Sequence, residues 1–490
     1  MATCGDGAQA CAEAPVLRSG GAFSWVRRID GWAVFAFACG VNVFFGYGQQ
    51  RLLGLAMAGA AAVVALTHPR RTARMAFPVP PELWAYTAWV VWAAATGFFV
   101  SQNLFAYWSA LRVTVQVLAM VWIVHLVLRT LGRVDVVFLA LLAGGLLQIG
   151  MVATGQSVGG EAPLADPTVR LAGTMRNPNG LGFLMIWSVL CAFFFWKGRR
   201  RSVKIHRLLI LALVPVAGLV VLVSGSRKSA IAFAIMLYTW VVFARRVVRG
   251  PGGVVVSIGM ALLVLVASAA WLPDVVADTS VGRRFDQFME GGGGELGEAI
   301  AANPRSSMYV EGLKLFLNYP LFGVGLNNFG VYFYSGQYSH SDLIEPLATT
   351  GLPGFLLYES FYLLLILRVR RLLKVVRDQE QRYRLKMVLL GVMSILVIGL
   401  GAPHYTTAPV FLLLTAFSVF TFQLERQLSV QRAVARVASV GSPRRPLVGQ
   451  GILRAGRWWM GPRGPAAPSA AGPNVGSTRL AADISLVEAP

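Results

Sequence analysis

The chain has 490 residues, 56% of them hydrophobic and 13% charged, with a mean hydropathy of +0.61. An average soluble domain carries about 25% charged residues, and a chain of this length has too little polar surface to cover so large an apolar fraction. A soluble enzyme, a secreted disulfide scaffold and a disordered chain are excluded; a polytopic membrane protein is expected. The 44 Lys and Arg against 22 Asp and Glu leave a net charge of +22. In a soluble protein that balance would suggest nucleic acid, but here it competes with the positive-inside rule. Cys4, Cys11, Cys39 and Cys191 make neither a disulfide framework nor a metal pattern.

Residues 1–30 are a polar leader, and no small-residue cleavage site follows the first apolar run, so that run is expected to stay as a span. A crossing helix needs about 20 apolar residues. By that measure spans are predicted at 31–48, 51–67, 83–101, 110–128, 134–153, 180–196, 208–224, 229–244, 253–272, 343–367, 387–403 and 408–424. The fold class expected is an all-α integral membrane protein with about twelve transmembrane helices. With the N-terminus inside, the loops HPRRTAR, RTLGR, KGRRRSVKIHR, ARRVVRG and RVRRLLKVVRDQEQRYRLK fall on one side. With the two tails they hold nearly all of the net charge. The charge is therefore an orientation signal: both termini are expected to be cytoplasmic, and no nucleic-acid partner is expected. The organisation reads as a tail at 1–30, a transmembrane domain at 31–425, and a basic, Ala-, Gly-, Pro- and Ser-rich disordered tail at 426–490.

Two outer segments stand apart from the short loops: about 154–179 and about 273–342. Loops longer than about 12–15 residues are usually functional or disordered. The second contains four glycines, Gly291 to Gly294, and then NPRSSMYVEGLKLFLNYP. Asn303 can cap a helix there, Pro304 suits its first position and Pro320 stops it. Met308, Gly312, Leu315, Phe316 and Tyr319 fall on one face by helical spacing.

Cations on the outer side run against the topogenic bias, so each invites a reason. Arg227 sits in SGSRKSA, a turn between two spans, and Arg176 in GTMRNPNGLGF just before another. A guanidinium is always charged and grips phosphate at two points, so two of them at the membrane boundary suit an anionic lipid headgroup. Arg227 could equally cap the preceding helix or snorkel. His340 follows a Tyr-rich stretch, and its imidazole, with an unperturbed pKa of about 6.5, can take a proton near neutral pH. A lone histidine is also a common structural hydrogen-bonding group. Asp342 and Glu345 beside it read as helix-start charges that favour the N-terminal dipole, though either can orient the imidazole. The chain has no GxxxxGK[ST], HExxH or CxxC, no GxSxG at a strand-turn-helix, and no cytoplasmic DxD pair. Chemistry on the outer face has no nucleotide supply, so a donor there must arrive already activated.

The segments GTMRNPNGLGFL, SGSRKSAIAF, NYPLFGVGLNNF and YSHSDLIEPLATTGLPGFLLY, in this order, resemble those of the O-antigen ligase and O-antigen polymerase superfamily, most strongly over 170–367. The resemblance implies a membrane glycosyltransferase of the C-type architecture with one large periplasmic loop containing short helices. It implies transfer of a glycan from undecaprenyl diphosphate to an acceptor hydroxyl on the periplasmic face of the bacterial inner membrane. The acceptor would be a lipid A core or a growing polysaccharide. Carried over residue by residue, Arg176 and Arg227 match the arginines that engage the donor diphosphate, and His340 matches the essential loop histidine. Arg305, Lys228 and Asn179 are the accompanying substrate-binding candidates. Many relatives carry Asn after the histidine; here it is Ser341. The chemistry agrees. A departing diphosphate needs pre-placed cations and donors, and a hydroxyl nucleophile needs a base, which His340 can supply. Direct displacement would invert the anomeric carbon. The donor's own phosphoester supplies the energy, so neither metal nor cofactor is expected. Two alternatives stay open: a polymerase using the same donor, and a lipid-linked sugar carrier. The carrier is disfavoured because the spans are nearly free of ionisable groups, Glu359 being the clearest exception.

Overall fold

A computed structural model describes residues 29–44, 50–68, 78–155, 178–196, 203–244, 304–333, 336 and 338–441. Every regular element among them is an α-helix. In chain order these are α1 (Ile29–Phe44), α2 (Gln50–Thr67), α3 (Pro81–Val100), α4 (Leu104–Leu131), α5 (Asp135–Ala153), α6 (Pro178–Phe194), α7 (Val203–Val223), α8 (Arg227–Ala244), α9 (Pro304–Asn318), α10 (Phe329–Tyr332), α11 (Ile344–Val375), α12 (Gln379–Gly399) and α13 (Ala408–Gly441). One unit covers Met1–Ala433; of a second, Val434–Pro490, the described residues are the last turns of α13.

Five helices, α3, α4, α5, α11 and the Ala408–Ala435 stretch of α13, are long and apolar enough to cross a membrane. Shorter apolar helices occur at Ile29–Val41, Pro178–Phe194, Ala212–Val223 and Lys228–Val242. The expected span 253–272 and the first part of the large loop, 273–303, lie outside the described residues. The expected start of the tail at 426 falls inside α13, which runs on to Gly441. The stretch between 426 and Gly441 contains no Gly or Pro and is made largely of Val, Ala, Arg and Gln, so nothing in it breaks a helix.

The bundle is built around α13. Phe411 meets Tyr86 of α3 at 4.4 Å and Phe361 of α11 at 6.0 Å. Phe417 meets Phe138 of α5 at 5.6 Å, and Phe420 meets Phe194 of α6 at 5.3 Å. A helix that is apolar all round is one surrounded by others. At one end of the bundle a buried ion pair joins Arg368 of α11 to Glu82 of α3. Ser418 of α13 donates to Glu82 at 2.6 Å, and Arg368 lies 3.2 Å from Glu425. The basic helix ends that carry Arg129, Arg133, Lys374, Arg382 and Arg384 lie at this end too. The other end holds the turns 100–104, 223–227 and 399–408.

At that second end α11 is broken. Gly351 takes φ 68, ψ −176 inside the helix, and Pro353 follows it, where the sequence reads as one uninterrupted span. Pro353 has no N–H, so the Thr349 carbonyl four residues earlier loses its helical donor. The Gly325 N–H takes its place at 2.9 Å, and the Val324 N–H takes the Ala348 carbonyl at 3.0 Å. Trp92 of α3 donates its indole N–H to the Thr350 carbonyl at 2.9 Å, and the Leu352 N–H turns outward to Pro320 O at 2.8 Å. These four backbone groups at the break thus have partners, as buried groups require. The segment PLFGVGL crosses the break backbone on backbone, which is why glycines stand there. A Cβ on Gly351 would overlap the Leu321 carbonyl oxygen, and one on Gly323 would overlap the backbone of Thr349 and Thr350.

Candidate functional site

The loop helix α9 starts at Pro304 and ends before Tyr319 and Pro320, as its sequence predicts. Met308 and Leu315 are buried in a small cluster with Val324, Phe329, Phe333 and Ala348. Gly312 lets α9 close on Ile344. Phe316 is half-buried, whereas Tyr319, expected on the same face, is exposed and lies beside Tyr332, with ring centroids 6.1 Å apart. The reason is that the chain leaves the helix at Asn318, so helical spacing no longer applies. Past the crossing, Asn328 ties the loop to the turn between α3 and α4. Its Oδ1 accepts from Asn103 N–H at 2.7 Å, and its Nδ2 donates back to Asn103 O at 3.3 Å.

His340 lies in the segment that leads into the broken helix. Its φ is 56, in the left-handed region that non-glycine residues seldom adopt, and its ring is half-buried against Tyr338, with centroids 4.2 Å apart. The flanking residues hold this backbone. Ser339 N–H donates to Glu345 Oε2 at 2.7 Å, and Ser341 Oγ accepts from Leu343 N–H at 3.3 Å and Ile344 N–H at 3.4 Å. Asp342 and Glu345 stand at the start of α11 as the sequence suggested, Glu345 in its first turn, but they are buried there. They are 4% and 0% exposed, because the short helix they begin is itself packed inside the bundle. The Asp342 carboxylate accepts from Tyr358 OH at 2.9 Å to both oxygens, from Tyr362 OH at 3.4 Å and from His404 N–H at 2.6 Å. Burial pushes its pKa up from the ordinary 3.8, while His404 and these hydrogen bonds pull it back.

The SGSRKS motif forms the turn from α7 to α8. Gly225, at φ 65, ends one helix, and Ser226 caps the next, its Oγ accepting from Ser229 N–H at 3.3 Å and from Ser229 OH at 2.7 Å. Arg227 is the first residue of α8. A Cβ on Gly182 of α6 would overlap the Ser229 hydroxyl, so the NPNGLGF and SGSRKS motifs lie side by side although about forty residues separate them. Asn179 is in the first turn of α6; Arg176 lies outside the described residues. Lys228 donates its ammonium to the Gly401 carbonyl. Arg305 is in the first turn of α9, one helical turn before Tyr309, whose OH donates to Leu400 O at 2.8 Å.

These contacts converge on one turn, residues 399–407 between α12 and α13. Asp342 N–H donates to Gly399 O at 2.7 Å, Tyr309 reaches Leu400 O, Lys228 reaches Gly401 O, and His404 N–H reaches the Asp342 carboxylate. His404 is 1% exposed. Its Nε2 lies 3.2 Å from Ile395 O, a carbonyl that can only accept, so Nε2 carries the proton. Burial lowers its pKa from the ordinary 6.5, against the opposing pull of Asp342. Burial likewise raises Tyr405 well above the usual phenol range. The structure thus gathers Lys228, Asn179, the α8 start that bears Arg227, the α9 turn that bears Arg305, and the His340 segment around one end of the bundle. Sequence reasoning passed over the turn that joins them. Its one signal was GAPHYTT, a polar histidine-bearing interruption between two apolar runs.

An all-helical bundle with several spanning-length apolar helices and polar motif residues collected at one end fits a multi-pass membrane protein. Residues 211–358 match the family model described as O-Antigen ligase, which places this segment in the O-antigen ligase and O-antigen polymerase superfamily. The matched stretch includes Arg227, Lys228, Arg305 and His340 and stops at Tyr358; Arg176, Asn179 and the 399–407 turn fall outside it. No curated protein matches the chain.

Proposed function

We propose that this protein is an inner-membrane glycosyltransferase of the O-antigen ligase type, moving a glycan from undecaprenyl diphosphate to an acceptor hydroxyl on the periplasmic face. The observation that carries the reading is the gathering of the motif residues around the 399–407 turn, within and beside a segment that matches the ligase family. Arg176 and Arg227 hold the diphosphate and meet the charge that develops as it leaves. Arg305, Lys228 and Asn179 add donors nearby, Lys228 sharing its ammonium with Gly401 O. His340 takes the proton from the acceptor hydroxyl. The nucleophile enters opposite the diphosphate and inverts the anomeric carbon, with no metal or cofactor required.

Sidedness supports this assignment. The basic helix ends lie opposite the site end, as the positive-inside rule asks of a cytoplasmic face. Phe99 and Phe105, 84% and 86% exposed, flank the site-end turn 101–103 with Trp108 and suit an outer lipid boundary. About twelve spans and cytoplasmic termini complete the arrangement.

The test is transfer in proteoliposomes from an undecaprenyl-diphosphate-linked glycan, with and without a lipopolysaccharide core acceptor. Product on the core, reduced by about 10²-fold or more in His340→Ala and lost in Arg227→Ala, is the expected result. Longer lipid-linked chains from donor alone would assign a polymerase with the same site. Near-wild-type transfer by either variant would remove that residue from the chemistry.

A further inference from the structure

One residue, Asp342, bonds the 399–407 turn at two points. Asp342 bonds both ends of its tip: its backbone N–H donates to Gly399 O at 2.7 Å, and its carboxylate accepts from His404 N–H at 2.6 Å. Between those two points lie the carbonyls of Leu400 and Gly401, which receive Tyr309 of α9 and Lys228 of α8. The carboxylate is itself anchored to α11 by Tyr358 and Tyr362. The fit is close on both sides. A Cβ on Gly399 would press on the Asp342 Cβ at 3.0 Å, and one on Gly401 would overlap the Lys228 side chain. His340 stands two residues before Asp342, in its left-handed conformation.

We infer that Asp342 is a positioning residue: by closing the Gly399–His404 turn it fixes the Lys228 end of α8 and the Tyr309 face of α9 against the His340 segment. The inference rests on the glycan-transfer reading for its catalytic consequence, and on geometry alone for the clamp. Without the carboxylate, His404 N–H loses its acceptor and the tyrosine pair, Tyr358 and Tyr362, is left with only its mutual hydrogen bond; the turn opens, and its carbonyls drift from Lys228 and Tyr309. The cationic helix start and the histidine then no longer share one frame. A misplacement of about 1 Å between reacting groups costs roughly 10²-fold in rate, and it acts on the transition state rather than on ground-state binding.

Two readouts on the full chain in nanodiscs test this. Amide hydrogen exchange is compared for wild type, Asp342→Ala, Asp342→Asn and Tyr358→Phe. Asp342→Ala is expected to raise exchange at 399–407 and at 226–230 together. Asp342→Asn, which keeps one oxygen for the His404 N–H, and Tyr358→Phe, which leaves the carboxylate in place, should raise it less. Faster exchange confined to 339–345 overturns the clamp, whichever variants fold. In the transfer assay Asp342→Ala should lower kcat by about 10²-fold with the donor KM within about threefold of wild type, and Asp342→Asn should recover part of the loss. A raised KM with kcat kept would overturn the positioning role. Absence of transfer by wild type would instead count against the proposed function, and the exchange result would still decide the clamp.

Discussion

A buried carboxylate persists only where its oxygens are occupied, and Asp342 meets that condition with Tyr358, Tyr362 and the His404 amide. The neighbouring imidazole is buried without a counter-charge strong enough to offset its desolvation, so the folded protein keeps His404 neutral below its ordinary pKa of 6.5. The sign follows from linkage. Above pH 6.5 the ring is neutral in both folded and unfolded chains and contributes nothing. As pH falls below 6.5 the unfolded chain takes up the proton first, and stability is lost down to the lowered folded value. Asp342 works the other way: its raised pKa contributes stability that is lost as pH rises from 3.8 through the folded value. His404→Gln isolates the histidine. Melting temperatures in detergent between pH 7.5 and pH 5 should fall less steeply for that variant than for wild type, and equal slopes would refute the assignment.

Arg227 was legible because it is a cation in a motif turn expected on the outer side, and His340 because it follows a Tyr-rich motif stretch and can take a proton near neutral pH. Asp342, Glu345 and His404 were not. An acid just before a helix looks like a dipole charge in sequence, and nothing in the spacing says that the helix will be packed inside the bundle. His404 lies some sixty residues from the carboxylate it meets, a separation to which no periodicity or motif speaks.

At the scale of elements, the break in α11 shows how a short motif can be an instruction about backbone. GLPG places a glycine two residues before a proline, and PLFGVGL supplies N–H groups to the carbonyls that the broken helix leaves without donors. The sequence holds both motifs in view but not their partnership. Gly351→Ala would carry a strained positive φ, which costs about 1–3 kcal/mol, and a clash with Leu321 O besides. Gly336 offers the comparison, with φ 66 and open space around the added Cβ. Gly351→Ala is therefore expected to lower the melting temperature clearly more than Gly336→Ala. Equal shifts would mean that the crossing contact contributes nothing beyond backbone strain. The length of α13 makes the complementary point: a helix ends where something stops it, and composition alone placed that end too early.

For the whole molecule, the buried Arg368–Glu82 pair joins three helices at the end opposite the site, with Ser418 and Glu425 completing the set. Removing one partner of such a pair strands a charge and costs about 3–5 kcal/mol, whereas replacing both by apolar residues of similar volume is often neutral. Arg368→Met and Glu82→Leu are each expected to lower thermal stability in detergent, and the double variant to recover most of the loss. Additive losses in that cycle would show that the two residues act independently. These variants lie far from the site, so transfer by the folded fraction should persist.

The amino-acid sequence by itself determined the class of molecule, most of its helices and where its motifs stand along the chain. All of these are local properties: an apolar run must be a helix in lipid because its backbone has no water to bond, and basic loops are counted where they stand. Tertiary structure alone decided what those motifs meet. Gly182 lies against Ser229, Val324 and Gly325 complete a helix broken at Gly351, and Asp342 closes a turn that receives Lys228 and Tyr309. Such pairings rest on single hydrogen bonds and on the absence of one Cβ, between residues far apart in the chain, and only the packed bundle brings them within reach.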